Sequence, residues 1–409
     1  MKKDTIKYLY LSPIDSEGAI FQTQVVDWLR LYKEHDVSFD LIRVFHAREL
    51  LNIKFIKHQV KITRSKYEQF VGSVFLLPEK SIFYFINALL LFFKILKYSR
   101  KADKVVVFSR YVIGNEIRII KRLFSKKVVF YYDARGAGAE ERKHTELIHR
   151  NFSLKSYKTI ARVYNLNYET LNSADKVFVV SNVLKKYFIK TFAMDEKRFV
   201  LYPCLSDSKR FFYNVETRSA VRKELGIGDE KQVFIYAGGT SKWHMTEKLF
   251  EFFNELLGKI DNCYFLFLTR NTKDIEEYLE KYPEIRPHLS FFSVNNTEIY
   301  KYYNAADFGL LFRHNTIMNN VSSPTKFAEY ILCGLPVIIS EGVGDYSQMT
   351  VDNPLGIQIS EEELNDMNEF DFNKILKSPF DRKKIAEYGN LNLSKNCIIN
   401  HLVQEIKNH

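Results

Sequence analysis

Two α/β domains in series, each a doubly wound, Rossmann-like parallel sheet, are predicted from three observations. Short apolar runs without strict alternation are separated by amphipathic helical patterns, as in sheets buried on both faces. The pattern starts again after Tyr202-Pro203. The 409 residues exceed one ordinary domain and suit two of about 200 residues, each large enough to bury a substantial core.

The elements follow in order. Strands are predicted at residues 6–11, 39–44, 104–108, 127–132 and 176–180, with helical patterns between most of them. A loop holding Ser12, Pro13, Asp15, Ser16 and Gly18 follows the first strand, and Val25, Val26, Trp28, Leu29 and Leu31 then recur at helical spacing. In the second half, strands are predicted at 232–236, 264–268, 289–292, 308–312 and 336–339. Gly238-Gly239 is a turn, residues 245–257 a helix, and 323–333 a helix just before the last strand. The predicted domains are 1–203 and 204–384, with a C-terminal helix at 385–409 returning to the first. Such domains bind ligands at the carboxyl ends of their strands, so two facing domains enclose a cleft. No repeat or low-complexity tract is present.

Composition narrows the function. Sixty Lys and Arg against 49 Asp and Glu give a net charge of +11, spread along the chain. Such a protein attracts anionic surfaces and phosphorylated small molecules, and no nucleic-acid motif accompanies the charge. Cys204, Cys263, Cys333 and Cys397 form no Cys-x-x-Cys pair, which argues against structural zinc and a disulfide framework and for reduced thiols in a cytoplasmic protein. The apolar stretch 6–11 is too short for a signal peptide. Residues 82–93 are more apolar, flanked by Lys80, Lys94, Lys97, Arg100 and Lys101, yet fall short of the ~18–20 residues that span a bilayer. Two placements fit them: a buried helix, or a helix partly in a membrane interface with its lysines near anionic lipid.

Three segments carry chemistry. The first runs from Arg313 to Ser340. Ser322 or Ser323 suits an N-cap, and Pro324 the first helical position. That helix start presents free N–H groups and partial positive charge to a phosphate, beside Ser323, Thr325 and Lys326. Glu329, a turn further in, can accept hydrogen bonds from both hydroxyls of a ribose, and the helix ends at Gly334 before Pro336 opens a strand. The second is Tyr236-Ala237-Gly238-Gly239-Thr240-Ser241-Lys242-Trp243, where the glycines allow close approach to a phosphate and Lys242 adds charge; a plain tight turn is the alternative. Trp243 stacks on a base or sugar, or simply packs. The third is Tyr132-Asp133-Ala134-Arg135-Gly136, continuing to Glu140-Glu141. Charges at the end of a buried strand are costly unless paired or used, and Asp133 and Arg135 either pair with each other or face a ligand.

The Arg313–Ser340 segment resembles the donor-binding motif of family-4 retaining glycosyltransferases of the GT-B fold, in the subgroup with Ser-Pro-x-Lys-x-x-Glu-Tyr followed by Cys-Gly-x-Pro-Val-Ile. The resemblance spans nearly the whole chain, but only this segment is specific. It implies two facing Rossmann-like domains, a donor diphosphate at the helix N-terminus, Glu329 on the ribose, and Lys326 and Arg313 toward the phosphates. Gly238, Gly239 and Lys242 match the family's Gly-rich loop, without its usual arginine after the glycines. An Asp-x-Arg-Gly…Glu pattern in relatives places Asp133, Arg135 and Glu141 near the transferred sugar or the acceptor. Residues 12–24, with Gly18 and Gln24, look like the acceptor-side loop and helix. Many members carry a second glutamate where this chain has Val321, which leaves the sugar contact there open. Segments 172–181 and 304–309 match scaffold strands, and 342–345 a loop near the donor or a surface turn.

The expected function is therefore retaining transfer of a hexose-type sugar from a nucleoside-diphosphate sugar to a glycan or lipid-linked acceptor, in bacterial-type surface polysaccharide or glycolipid synthesis. With no His-Glu-x-x-His and no Asp-x-Asp, transfer is expected without a metal or other cofactor. Lys326, Lys242 and Arg313 then stabilise the departing diphosphate. The expected location is cytoplasmic, with a possible peripheral contact at the inner membrane face. The alternatives are a relative that binds a nucleotide or protein partner without transfer, kept open by Val321, and a sugar-nucleotide epimerase.

Overall fold

The computed structural model describes residues 5–14, 19–78, 80–100, 102–124, 127–148, 153–240, 245–260, 262–377 and 380–408. The chain divides into two compact units, residues 1–203 with 399–409, and residues 204–398.

Among the described residues, the first unit holds seven parallel strands: β1 (Ile6–Pro13), β2 (Phe39–His46), β3 (Phe70–Leu76), β4 (Lys104–Ser109), β5 (Val128–Ala134), β6 (Lys176–Val179) and β7 (Phe199–Leu201), in the order β3-β2-β1-β4-β5-β6-β7. The second holds six: β8 (Gln232–Ala237), β9 (Cys263–Leu268), β10 (Leu289–Phe292), β11 (Phe308–Leu311), β12 (Val337–Ser340) and β13 (Gly356–Ile359), in the order β10-β9-β8-β11-β12-β13. Both are Rossmann-like: the strand order reverses next to the first strand, β1 or β8, which opens a ligand crevice at the carboxyl ends there.

The central strands bury both faces, which is why they read as continuous apolar runs. Phe108 on β4 packs against Tyr10, Phe39, Tyr131, Phe178 and Tyr202, with centroids 4.6–6.2 Å apart. In the second unit Phe252, Phe253, Phe265 and Phe234 form the equivalent cluster. Full burial of each such ring contributes about 1.5–3 kcal/mol.

One device recurs in both units. Asp175 accepts from the Phe130 N–H at 2.7 Å while its own N–H bonds the Phe130 carbonyl. Asp307 does the same with Val233, at 2.8 Å, and pairs with Arg218 and the fully buried Arg222. The Ala-Asp that opens β6 and β11 thus locks each strand to a neighbour, and both segments are scaffold.

The chain terminus is two helices. Arg382–Asn392 lies in the second unit, against the Thr325–Leu332 helix, where Gly389 lets the backbones approach. Lys395–Lys407 passes into the first unit at Ile399, where Lys176 bonds Glu405 and Tyr131 donates to the Ile406 carbonyl. The expected single return of 385–409 is replaced by this division, because Arg382 is held on the second unit by the carbonyls of Gly334, Asn304 and Ala306. The apolar segment 82–93 lies in the first two-thirds of a helix, Ser81–Ser99, and no helix among the described residues is long and apolar enough to cross a membrane.

Candidate functional site

The second unit gathers its chemistry at the carboxyl ends of β8 and β11 and at the start of the Thr325–Leu332 helix. That helix begins one turn-position later than the sequence suggests. Pro324 is the cap residue, with extended backbone (φ −67°, ψ 121°), and no side chain caps the first turn. Ser323, expected as the cap, is committed elsewhere: its Oγ accepts from the Cys204 N–H at 3.0 Å and bonds the Tyr346 hydroxyl at 2.9 Å. Ser322 donates to the Asn319 carbonyl. Thr325 and Lys326 therefore occupy the first two helical positions, where backbone N–H groups and the helix dipole favour an anion.

Lys326 and Glu329 lie three residues apart on one helix face. The Lys326 ammonium makes no ion pair among the described residues, and burial together with nearby Arg313 lowers its pKa to about 8. Its stem lies against Gly238: a Cβ there would come within 3.2 Å of Lys326 Cε and 2.7 Å of the Tyr236 hydroxyl. The absent side chain at Gly238 is thus what admits Lys326. The Tyr236 hydroxyl donates to the Gly239 carbonyl at 2.8 Å, and Arg313 acts on that same hydroxyl, tying the glycine turn to the end of β11. Arg313 is buried, its backbone clasped by Ser340 Oγ, and desolvation lowers its pKa.

Glu329 is buried and accepts from the Tyr303 hydroxyl at 3.2 Å. Desolvation raises its pKa against the opposing pull of Lys326, the Tyr303 hydrogen bond, Arg210 and Lys395. Around this one carboxylate stand Lys326, Arg210 and Lys395, with Arg313 beside Lys326. Arg210 and Lys395 were not read from the sequence; they come from segments over 60 residues away and carry no motif.

The loop after β12 presses on the same segment. Gly342 and Gly344 have φ of +75° and +53°, and a Cβ on Gly344 would overlap the Ser322 carbonyl oxygen. Val321, where a second glutamate is usual in the resembled family, is buried and apolar. Lys242 and Trp243 lie outside the described residues, as does Gly18.

The first unit has its own polar cluster at the carboxyl ends of β1, β4 and β5. Asp133 is 1% exposed and Arg135 holds it with both arms, Nε to Oδ1 at 2.6 Å and Nη2 to Oδ2 at 3.1 Å. Tyr10 also donates to Oδ2, at 2.6 Å, and the Arg135 guanidinium stacks 4.4 Å from the Tyr202 ring centre. Of the two arrangements the sequence allowed, the pair forms. Glu141, on the Gly138–Ile148 helix, folds back so that a Cβ on Gly136 would overlap its carboxylate. The residue is exposed as a whole, but burial at its carboxyl group raises its pKa by desolvation. The Tyr132 hydroxyl feels both Asp133 and Glu141, which places the two carboxylates around one tyrosine. Gln24 lies in a π-helical turn, Gln22–Val26, and accepts from Arg110 at 2.5 Å. Such turns often mark functional sites.

No protein-family profile and no curated protein sequence matches the chain. Solved structures do. HepE of Anabaena in complex with UDP aligns with a TM-score of 0.67 at 14% identity, over 98% of this chain and 100% of that one. A glycosyltransferase of Rickettsia africae gives 0.68 at 13% identity, over 100% of both chains. WaaG, a glycosyltransferase involved in lipopolysaccharide biosynthesis, gives 0.59 at 15% identity, over 99% of this chain and 100% of that one. At such identities the likeness establishes the fold: two Rossmann-like parallel-sheet domains of the GT-B glycosyltransferase type.

Proposed function

We propose that the protein is a retaining glycosyltransferase that moves a hexose-type sugar from a nucleoside-diphosphate sugar to a glycan or lipid-linked acceptor, in the synthesis of a bacterial-type surface polysaccharide or glycolipid. The observation that carries this reading is the cation excess of the second unit. Half-buried Lys326 and buried Arg313 stand close together at an uncapped helix start, and each carries a lowered pKa. With Arg210 and Lys395 they outnumber the one nearby carboxylate, Glu329, and a bound diphosphate would balance the excess. Similarly folded structures include complexes with UDP and with UDP-glucose, which supports a nucleotide-sugar ligand.

In this reading Thr325 and Lys326 hold the diphosphate through backbone N–H groups, and Gly238 and Gly239 let it approach. Glu329 binds the ribose, and Ser323 braces the helix start. As the sugar–phosphate bond breaks, charge grows on the leaving oxygen, and Lys326 and Arg313 stabilise it. We propose that these cations serve in place of a metal. Asp133, Arg135 and Glu141 are assigned to the transferred sugar or acceptor, with Gln24 and Gly18 on the acceptor side, and Lys242 joins the donor contacts. The protein works in the cytoplasm, at the inner membrane face when its acceptor is lipid-linked.

The test is incubation of the protein with labelled UDP-, GDP- and ADP-sugars and a membrane lipid extract, with and without a chelator. Label entering a lipid or glycan product, with the anomeric configuration of the donor and no effect of the chelator, is the expected result. Label released only as an isomerised sugar nucleotide would instead show an epimerase, and tight nucleotide binding without turnover a binding protein.

A further inference from the structure

The Ser81–Ser99 helix is apolar on two sides. Its inner side, with Ala88, Leu91 and Ile95, is buried. Its outer side presents Ile82 (75% exposed), Phe85 (61%), Ile86, Leu90 and Phe93 (64%). Their spacing of three and four residues makes one continuous stripe about 16 Å long. A surface helix of a water-soluble domain turns polar residues outward, so a stripe of this size marks an interaction surface.

The charge around the stripe identifies its partner. No Asp or Glu occurs from Lys80 to Ala102, and Lys80, Lys97 and Arg100 are exposed at the stripe's two ends. β2 and β3 are parallel neighbours, so the turns after them open side by side on one rim. The turn after β2 exposes Leu51 (93%) and Ile53, and the helix that follows, Ile53–Lys66, also has no acidic residue. Lys54, Lys57, Lys61 and Arg64 are exposed on it, and none makes an ion pair among the described residues. Exposed apolar side chains on two helices that open from one rim, with exposed cations and no acidic residue on either, match a surface that is anionic at its face and hydrocarbon beneath.

We propose that this part of the first unit docks on a bilayer carrying anionic lipid headgroups, with the Phe85–Phe93 stripe entering the headgroup–acyl boundary and the lysines facing the headgroups. The inference builds on the lipid-linked acceptor proposed above and names the surface that would reach it. The stripe is too short to span the bilayer, so docking is in the plane and reversible.

The test is sedimentation of the intact protein with vesicles of phosphatidylcholine, alone or mixed with phosphatidylglycerol. Binding is expected to the mixed vesicles and to weaken with added salt. Phe85→Glu with Phe93→Glu should lower the bound fraction about ten-fold or more, and Lys57→Glu with Lys61→Glu roughly ten-fold or more. Both pairs change exposed residues, so nucleotide-induced stabilisation should persist in them. Absence of binding to mixed vesicles, or parent-like binding by both variants, would overturn the proposal. So would a dimer in vesicle-free solution that Phe85→Glu with Phe93→Glu splits, because a second copy would then cover the stripe. The two readings fail separately. Lost vesicle binding with an intact nucleotide response sinks only the docking face. Vesicle binding without a nucleotide response supports the docking face and sinks the donor site.

Discussion

Lys326 illustrates how a residue can be costly to the fold and useful to a reaction. Its pKa falls from 10.5 to about 8, first through desolvation and then through Arg313. Between about pH 8 and 10.5 the unfolded chain holds the proton that the folded protein has released, so this group makes stability rise with pH there; below about 8 its charge weighs against the folded state. A bound diphosphate reverses that preference by favouring the ammonium. Nucleotide affinity should therefore fall as pH rises through about 8, by up to about ten-fold per pH unit, with proton uptake on binding detectable in buffers of different ionisation enthalpy. Lys326→Arg should remove this alkaline limb, and an unchanged limb would show that another group titrates. Lys326→Ala should slow transfer more than it weakens donor binding, because leaving-group charge grows toward the transition state. Equal losses in single-turnover rate and donor affinity would assign Lys326 to ground-state binding.

Glu329 contributes differently. Glu329→Ala should weaken nucleotide binding by about 1.5–3 kcal/mol, the range of a hydrogen bond to a charged group. In the first unit, Asp133→Ala leaves Arg135 and the Tyr10 hydroxyl without their shared partner, and removing one member of a buried pair costs about 3–5 kcal/mol. Thermal unfolding of that variant should fall accordingly, and a wild-type melting temperature would refute the buried-pair description. The single-residue signals at Lys326, Glu329, Arg313 and Gly238 were legible because one contiguous motif and one glycine turn carry them. Arg210, Lys395, Tyr303 and Tyr10 were not, because tertiary folding alone brings them in.

At the scale of elements, glycines set the geometry. Gly238→Ala places a methyl group against Lys326 Cε and the Tyr236 hydroxyl. It should leave the sheet folded while cutting transfer at least as much as donor affinity, readable by parallel calorimetry and rate measurement. Gly344→Ala adds a Cβ at φ +53° and against the Ser322 carbonyl, and should cost about 1–3 kcal/mol of stability. The sequence revealed ten of the thirteen strands among the described residues and missed β3, β7 and β13. All three lie at sheet edges, where one side is unpaired and the apolar signal thins: β7 has three residues, β13 alternates, and β3 contains Gly72. The cap was misplaced for a related reason. Ser323 has the chemistry of an N-cap, but contacts with Cys204 and Tyr346, distant in sequence, engage its hydroxyl.

For the whole molecule, two units were legible because apolar periodicity restarts after Pro203, and chain length requires it. The path of the terminus was not, since nothing between residues 385 and 409 announces that one helix stays with the second unit and the next passes to the first. The segment 82–93 was open between a core helix and a membrane-facing one because its sequence is apolar on both sides; in the fold it is half buried and half exposed.

The proposed transfer requires an anion site for a nucleoside diphosphate in residues 204–398. Its most direct test is calorimetric titration of the intact protein with UDP, GDP, ADP and CMP, with no metal added, repeated on Glu329→Ala and Lys326→Ala. One nucleoside diphosphate should bind, and both variants should bind it more weakly. No binding by any of them, or binding that neither substitution changes, would contradict it.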